Sequence, residues 1–234
     1  DYFHDKRERI LMSRASWPSM LGYWGSKPWS NIGEVENQGF ELSLNWTKQF
    51  GKDLTLDLRG NFTYNQNEYK YVDEPSYPYV WQTNTGKPLN TVKGYIAEGL
   101  FASEEEIANS PDQSQLGANI MPGDIKYKDI NGDGKIDSYD EVPICYSNVP
   151  RLQYGFGLEF HWKRLTVSAL LEGVGQVNFL YGGSGFHPFN GGQTGNVLSI
   201  VADASNRWTP ASYSGTKDTE NPNARFPRLT YGEN

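Results

Sequence analysis

The clearest pattern in the chain is a strict alternation of apolar and polar side chains in four separate segments. Between residues 39 and 47 the even-numbered positions are apolar and the odd-numbered ones are polar or small, and residues 54–64 repeat this pattern. A second pair covers residues 153–162 and 165–171, where Leu170 interrupts the polar side. Successive side chains of a β-strand point to opposite faces, so the alternation predicts strands. Their predicted bounds are about 38–47, 54–65, 152–162 and 165–176.

The connections inside the two pairs are short and polar. Residues 48–53 include a glycine and two lysines, and Lys163 and Arg164 alone join the second pair. Connections of this kind join antiparallel neighbours, so each pair is predicted to form a β-hairpin. Each strand offers roughly ten residues, the length that crosses a lipid bilayer at a tilt.

Two classes of antiparallel protein fit this alternation. The polar positions include Glu41, Asp57 and Arg59, which suit either the water-filled lumen of a membrane barrel or the solvent face of a soluble β-sandwich. Alternation alone favours the sandwich. The connections between the hairpins change this balance, because tight turns at one end and long loops at the other are typical of outer-membrane barrels. The predicted long, extracellular loops are about 14–37, 66–150 and 177–234.

Composition supports the β class and excludes several functions. The chain has 25 Gly, 15 Tyr, 11 Phe and 7 Trp, which suit turns and pleated surfaces. The mean hydropathy of −0.67 is low, but a barrel that alternates polar and apolar residues also averages out polar. The net charge of −7, with no basic stripe, argues against nucleic acid as a partner. The single cysteine, Cys145, excludes an internal disulfide framework.

Residues 129–140 carry the one sharp chemical motif. Oxygen-bearing side chains recur at the spacing of a calcium-binding loop, and Gly134 occupies the sixth position, where such a loop turns sharply. Ile136 is expected to pack behind the loop. Aspartate at the twelfth position departs from the glutamate of an EF-hand and resembles dockerin-type loops. The predicted ligands of a structural Ca²⁺ are Asp129, Asn131, Asp133, Lys135 through its backbone carbonyl, Asp137 and Asp140. The alternative is a metal-free turn rich in Asp, Asn and Gly.

Aromatic side chains crowd the predicted external loops. They are candidates for contact with a ligand or a partner, because aromatic rings stack on sugars and anchor interfaces, whereas the alternative is packing within the loops. The candidates are Trp17, Trp24, Trp29, Tyr77, Tyr79 and Trp81. A glycoside hydrolase would need two carboxylates framing a sugar, and no such pair can be singled out, so no enzymatic activity is predicted.

Four stretches of the chain resemble one known family. They are residues 31–41 (NIGEVENQGFE), residues 122–137, Pro150-Arg151 followed by residues 154–157, and residues 225–229 (RFPRL). In this order they resemble SusC/RagA-type TonB-dependent outer-membrane transporters of Bacteroidetes, and together they span nearly the whole chain.

This resemblance implies more than the residues themselves show. It implies an all-β, antiparallel transmembrane barrel of about 22 strands, a plug domain, and a TonB box that couples uptake to the inner membrane. It also implies a SusD-like surface lipoprotein as partner and import of oligosaccharide or peptide across the outer membrane. With no plug, TonB box or closing strand in its sequence, residues 1–234 are expected to be a late internal segment of the barrel domain. The alternative function is a secreted, calcium-stabilised β-sandwich that binds carbohydrate.

Overall fold

The chain folds into two compact units. The computed structural model describes residues 1–15, 20, 27–117, 119–182, 186–190, 192 and 195–231. The first unit comprises residues 1–92 and 145–179, and the second comprises residues 93–144 and 180–234. Within the described ranges, no helix has the length and apolar character needed to cross a membrane.

Strands dominate the described residues. They are β1 Tyr2–Ser13, β2 Trp29–Phe50, β3 Leu54–Tyr71, β4 Val92–Gly94, β5 Ala97–Leu100, β6 Ile125–Tyr127, β7 Val142–Cys145, β8 Leu152–Trp162 and β9 Leu165–Gly175. The helices are short: α1 Glu104–Ala108, α2 Ser199–Ala202 and α3 Ala211–Ser214, with 3₁₀ turns at Val80–Gln82, Ser138–Asp140 and Lys217–Thr219.

The first unit is built on one antiparallel sheet with the strand order β1-β2-β3-β8-β9. Phe50 pairs with Leu54 across one tight turn, and Trp162 pairs with Leu165 across the other. Both hairpins therefore turn at the same end of the sheet, because β3 pairs antiparallel with β8 from Leu54 opposite Trp162 onward. The predicted antiparallel all-β class is confirmed.

Strands occupy much of what the sequence predicts as loop. β2 begins at Trp29 and β3 continues to Tyr71, while β1 lies where no strand is predicted. In the added part of β2, polar residues occupy both faces, as in the run Glu36-Asn37-Gln38. A strand with water on both faces has no apolar face to alternate, so period-two patterning does not detect it. Strands thus extend into the segments predicted as loops 14–37 and 66–150, and the latter also contains β4 to β7 and α1.

The apolar face of the large sheet is uncovered. Leu42 is 62% exposed and Leu44 is 63% exposed, and most of the apolar side chains of β8 and β9 are exposed as well. The buried apolar side chains of the described residues are Phe101, Ile136, Val201 and Trp208, and all four belong to the second unit. A soluble sandwich would bury such a face as its core. The sandwich alternative is therefore not favoured.

The second unit has a small core of its own. The indole of Trp208 lies directly over Gly123, where an added Cβ would come within 2.4 Å of the ring. Gly123 also has a φ of +92°, so the position requires glycine for two reasons. The backbone of Gly123 donates to Phe101 and accepts from Arg228, which ties three segments of this unit together.

Candidate functional site

The calcium-type loop folds as a series of side-chain-to-backbone hydrogen bonds. Asp129 Oδ1 accepts from Gly132 N at 2.6 Å, and Asp129 Oδ2 accepts from Gly134 N at 2.8 Å. Asn131 Oδ1 accepts from Asp133 N at 2.9 Å. Gly132 and Gly134 have φ values of +76° and +83°, a backbone conformation that glycine adopts without steric cost. These contacts draw the first six residues of the loop into a tight turn.

Asp140 closes the loop from its other end. This side chain is 0% exposed. Its Oδ1 accepts from Ile130 N at 2.8 Å and Asn131 N at 3.4 Å, and its Oδ2 accepts from Asp137 N at 2.9 Å. The carboxylate of Asp140 therefore holds both ends of the loop together through backbone N–H groups, a role that sequence reasoning missed because spacing shows only its place in the motif.

The loop is also attached to its own unit. Ile136 is fully buried, as expected for the residue behind the loop, and its N–H donates to Asp112 O at 2.8 Å.

Burial raises the pKa of Tyr95 to about 12, helped by the nearby charge of Glu141, to which its hydroxyl donates at 3.2 Å. Because this pKa lies above the usual 10, the contribution of Tyr95 to stability is present below pH 10 and is lost as pH rises toward 12.

The donor chemistry of the loop fits calcium, because Asp and Asn supply the hard oxygen atoms that this ion prefers. Asp133 Oδ1 accepts from Lys135 N, and Asp137 Oδ1 accepts from Tyr139 N, so these side chains also organise the backbone. Within the described ranges, no three His, Cys, Asp or Glu side chains form a group that could hold a metal ion. The hydrogen bonds themselves are those that a metal-free turn of this composition would also form.

Two of the six candidate aromatic residues are brought together. The rings of Tyr79 and Trp81 stack at 4.6 Å between centroids, with 9° between their planes. Lys87 Nζ donates to the carbonyl of Trp81 and fixes this turn. Trp29 is exposed at the start of β2, and Tyr77 is half-buried. The remaining two, Trp17 and Trp24, lie outside the described residues.

A charged cluster lies on the polar face of the large sheet, near the tight turns. Arg59 Nη2 lies 2.9 Å from Glu159 Oε2. His161 Nε2 lies 3.2 Å from Glu159 Oε1 and 3.5 Å from Asp57 Oδ2. Thr47 donates to Asp57 at 2.5 Å. Alternation assigns these residues to one face, but only the pairing of β3 with β8 brings them into contact.

Similarity to known protein families identifies the family of this chain. The family model described as TonB dependent receptor-like, beta-barrel, matches residues 1–221. The chain belongs to this family. Members of this TonB-dependent receptor family are outer-membrane proteins, which agrees with a sheet that has one uncovered apolar face and one polar face.

Named relatives of this TonB-dependent receptor segment come from Bacteroidetes. TonB-dependent receptor P26 of Formosa agariphila is 28% identical over 97% of this chain, which corresponds to 22% of that protein. TonB-dependent receptor SusC of Bacteroides thetaiotaomicron is 32% identical over 47% of this chain, or 11% of SusC. The chain thus spans about a fifth of the length of the receptors that it matches over nearly its whole length.

Solved structures show the same fold. The structure titled "Structure of the RagAB peptide importer in the 'open-open' state" aligns with a TM-score of 0.54 at 18% identity, covering 75% of this chain and 18% of that one. The 'closed-closed' state of the same importer aligns with a TM-score of 0.50 over 75% of this chain. At this level of identity the likeness establishes the fold and leaves the ligand open.

Proposed function

We propose that this chain forms a membrane-spanning part of an outer-membrane transporter that imports oligosaccharides or peptides. The observation that carries the proposal is the uncovered apolar face of the five-stranded sheet, opposite a face that holds charged residues. In water such a face is unfavourable, at about 25 cal/mol for each Å² of apolar surface, whereas lipid removes this cost. The role is transport rather than catalysis.

The apolar band has the height of a bilayer core. On β2 this face runs from Phe40 to Phe50, with Lys48 as its one charged side chain near the turn. At about 3.3 Å per residue and a tilt of about 40°, this length gives roughly 25 Å. Above Phe40 the same face becomes polar, since Gln38 pairs with Gln66 and Glu36 pairs with Glu68. We place the outer edge of the lipid at this transition, so that the upper parts of β2 and β3 rise beyond the membrane.

The opposite face fits the interior of a barrel. The charged residues Asp57, Arg59 and Glu159 lie on it, and in lipid each would be strongly unfavourable. Facing a hydrated lumen they remain solvated and paired with one another. The tight turns then face the periplasm, and the long connections of residues 66–150 and 177–234 are proposed to be extracellular.

The partners follow from the family and its named members. We propose that the longer protein is coupled to TonB through parts outside residues 1–234 and that it works with a SusD-like surface lipoprotein. The proposal is supported by the relative named SusC and by the likeness of this fold to the RagAB peptide importer. Tyr79 and Trp81 are our candidates for contact with the substrate or the partner, because their stacked rings offer an aromatic surface.

Import is tested in the organism that makes the full-length protein. A strain lacking the gene should lose growth on one oligosaccharide or peptide pool as sole carbon source, and the intact gene should restore it. Growth on free monosaccharides and amino acids is the control and should be unchanged. Release of the full-length protein from membranes without detergent would contradict the proposal, because a barrel in lipid leaves the membrane only when lipid is solubilised.

We further propose that the loop of residues 129–140 binds one structural Ca²⁺ through Asp129, Asn131, Asp133, the carbonyl of Lys135 and Asp137, with Asp140 closing the loop behind them. The proposal is supported by the spacing of the oxygen donors and by the two glycines with positive φ.

Calcium titration of the purified full-length protein tests this site. The double variant Asp129→Asn, Asp133→Asn should bind one calcium ion fewer per molecule than the wild type, because two carboxylate ligands have lost their charge. The control is Asp203→Asn, since Asp203 is an exposed aspartate in a similar turn, where it accepts from Ser205. Equal stoichiometry in wild type and double variant would exclude a calcium ion at this loop.

A further inference from the structure

A cavity of about 510 Å³ opens within the second unit. Most of its wall is apolar and includes Met121, Phe189 and Leu229. Two arginines, Arg207 and Arg228, also line it. An apolar cavity that contains a few polar groups is the usual form of a small-molecule site. Which ligand it can bind depends on whether each arginine is already paired with a carboxylate of the protein.

The two arginines differ in their partners. Arg228 is neutralised by Asp124, with Nε 2.5 Å from Oδ1 and Nη2 2.9 Å from Oδ2. Arg207 forms no ion pair with any carboxylate of the described residues, although its charge contributes, after the hydrogen bonds from Ser205, to a lowered pKa of Asp203. The cavity wall therefore carries one cation without a paired anion.

Arg207 is also buried, with 8% of its surface exposed. Its Nη1 donates to Thr209 Oγ1, and its guanidinium carbon lies 5.8 Å from the centroid of the Tyr213 ring. Its Nε has no acceptor among the described residues. A guanidinium removed from water without a counter-ion is unfavourable, so an anion that reaches it would be bound strongly.

Trp208 lines the same cavity. It is 7% exposed, and its Nε1 has no acceptor among the described residues. The close contact with Gly123 fixes the plane of its ring. The indole therefore forms a rigid, apolar part of the cavity wall beside Arg207.

We propose that this cavity binds an apolar ligand that carries one carboxylate group. The carboxylate pairs with Arg207, and the apolar body packs against Phe189, Leu229 and the ring of Tyr213. Glu104, exposed at the start of α1, lines the same cavity, and its negative charge repels a polyanion more strongly than it repels a single carboxylate paired with Arg207. The proposal for this site does not rest on the import function, because its test measures ligand binding to the purified protein.

Calorimetric titration of the full-length protein with N-acetylphenylalanine and with its carboxamide tests the pairing. The two probes share one apolar body and differ in the charge of the terminal group. The acid should bind at least tenfold more tightly than the amide, and Arg207→Gln should remove this difference. The matched control is Arg164→Gln, an exposed arginine in the β8–β9 turn of the other unit, which should leave both affinities unchanged.

A second variant tests the proposal if Arg207→Gln does not fold. Tyr213 is exposed, so Tyr213→Ala should keep the fold and weaken the binding of both probes alike. Equal affinity for acid and amide in the wild type would overturn the proposal. A second pair of results would also overturn it: the folded wild type binds neither probe, and Arg207→Gln lowers the melting temperature of the protein. Together these results would assign the counter-ion of Arg207 to another part of the longer protein.

Discussion

Replacing Leu44 with arginine should destabilise the membrane-inserted protein by about 2–4 kcal/mol, the cost of a cation on the lipid face near the bilayer midplane. Leu44 lies between Phe40 and Phe50 on the apolar face of β2 and is largely exposed there. The measurement is the urea dependence of the folded fraction of the full-length protein in phospholipid vesicles. Leu44→Arg should reach half-unfolding at a clearly lower urea concentration than the wild type.

The neighbouring residue provides the control. Ser43 points to the polar face, where it pairs with Asn61, so Ser43→Arg places the same charge in the lumen. The cost there should be below about 1 kcal/mol, because the guanidinium stays hydrated. Equal losses for the two variants, or a larger loss for Ser43→Arg, would contradict the assignment of the two faces.

Replacing Asp140 with alanine should open the loop of residues 129–140. The change removes the acceptor of three backbone N–H groups, those of Ile130, Asn131 and Asp137, at a fully buried position. At about 1–3 kcal/mol for each buried donor left unpaired, a loss of about 3 kcal/mol in local stability is expected even with some rehydration. Hydrogen exchange of these amides in the full-length protein should become roughly 100-fold faster.

Asp133→Ala is the matched control for this loop. Asp133 is exposed and accepts from Lys135 N and Asn131 Nδ2, so its loss should cost below about 1 kcal/mol. Both variants are compared in the presence of a calcium chelator, which removes any contribution from a bound ion. Similar exchange rates in the two variants would show that the loop is not closed by Asp140.

The hairpins of the large sheet could be predicted because their successive residues alternate between apolar and polar. A strand with one face in lipid and one in a lumen must alternate in this way, and the proposed placement gives residues 39–47 that pattern. In residues 29–38 polar side chains occupy both faces of β2, so the alternation stops. Neither this part of β2 nor its partner β1 can be recognised in this way. Their pairing depends on backbone hydrogen bonds that many sequences allow.

The candidate sites show a similar limit. Spacing identified the loop of residues 129–140. It could not show that the Asp140 carboxylate accepts hydrogen bonds from backbone N–H groups inside the loop. The pairing of β3 with β8 joins residues about 100 positions apart, as in the contact of Arg59 with Glu159, and no local pattern encodes that register. The burial of Arg207 likewise depends on the fold of the whole second unit.

On the proposed placement, the apolar face of the sheet lies in lipid and the polar face in a hydrated lumen. Spin labels placed singly along residues 40–47 of the full-length protein in lipid vesicles, in a cysteine-free background, test it most directly. Collision with oxygen, which is enriched in lipid, should be high at Phe40, Leu42 and Leu44, whereas collision with a water-soluble nickel chelate should be high at Glu41, Ser43 and Asn45. High nickel accessibility at both sets, without a period of two, would contradict the account.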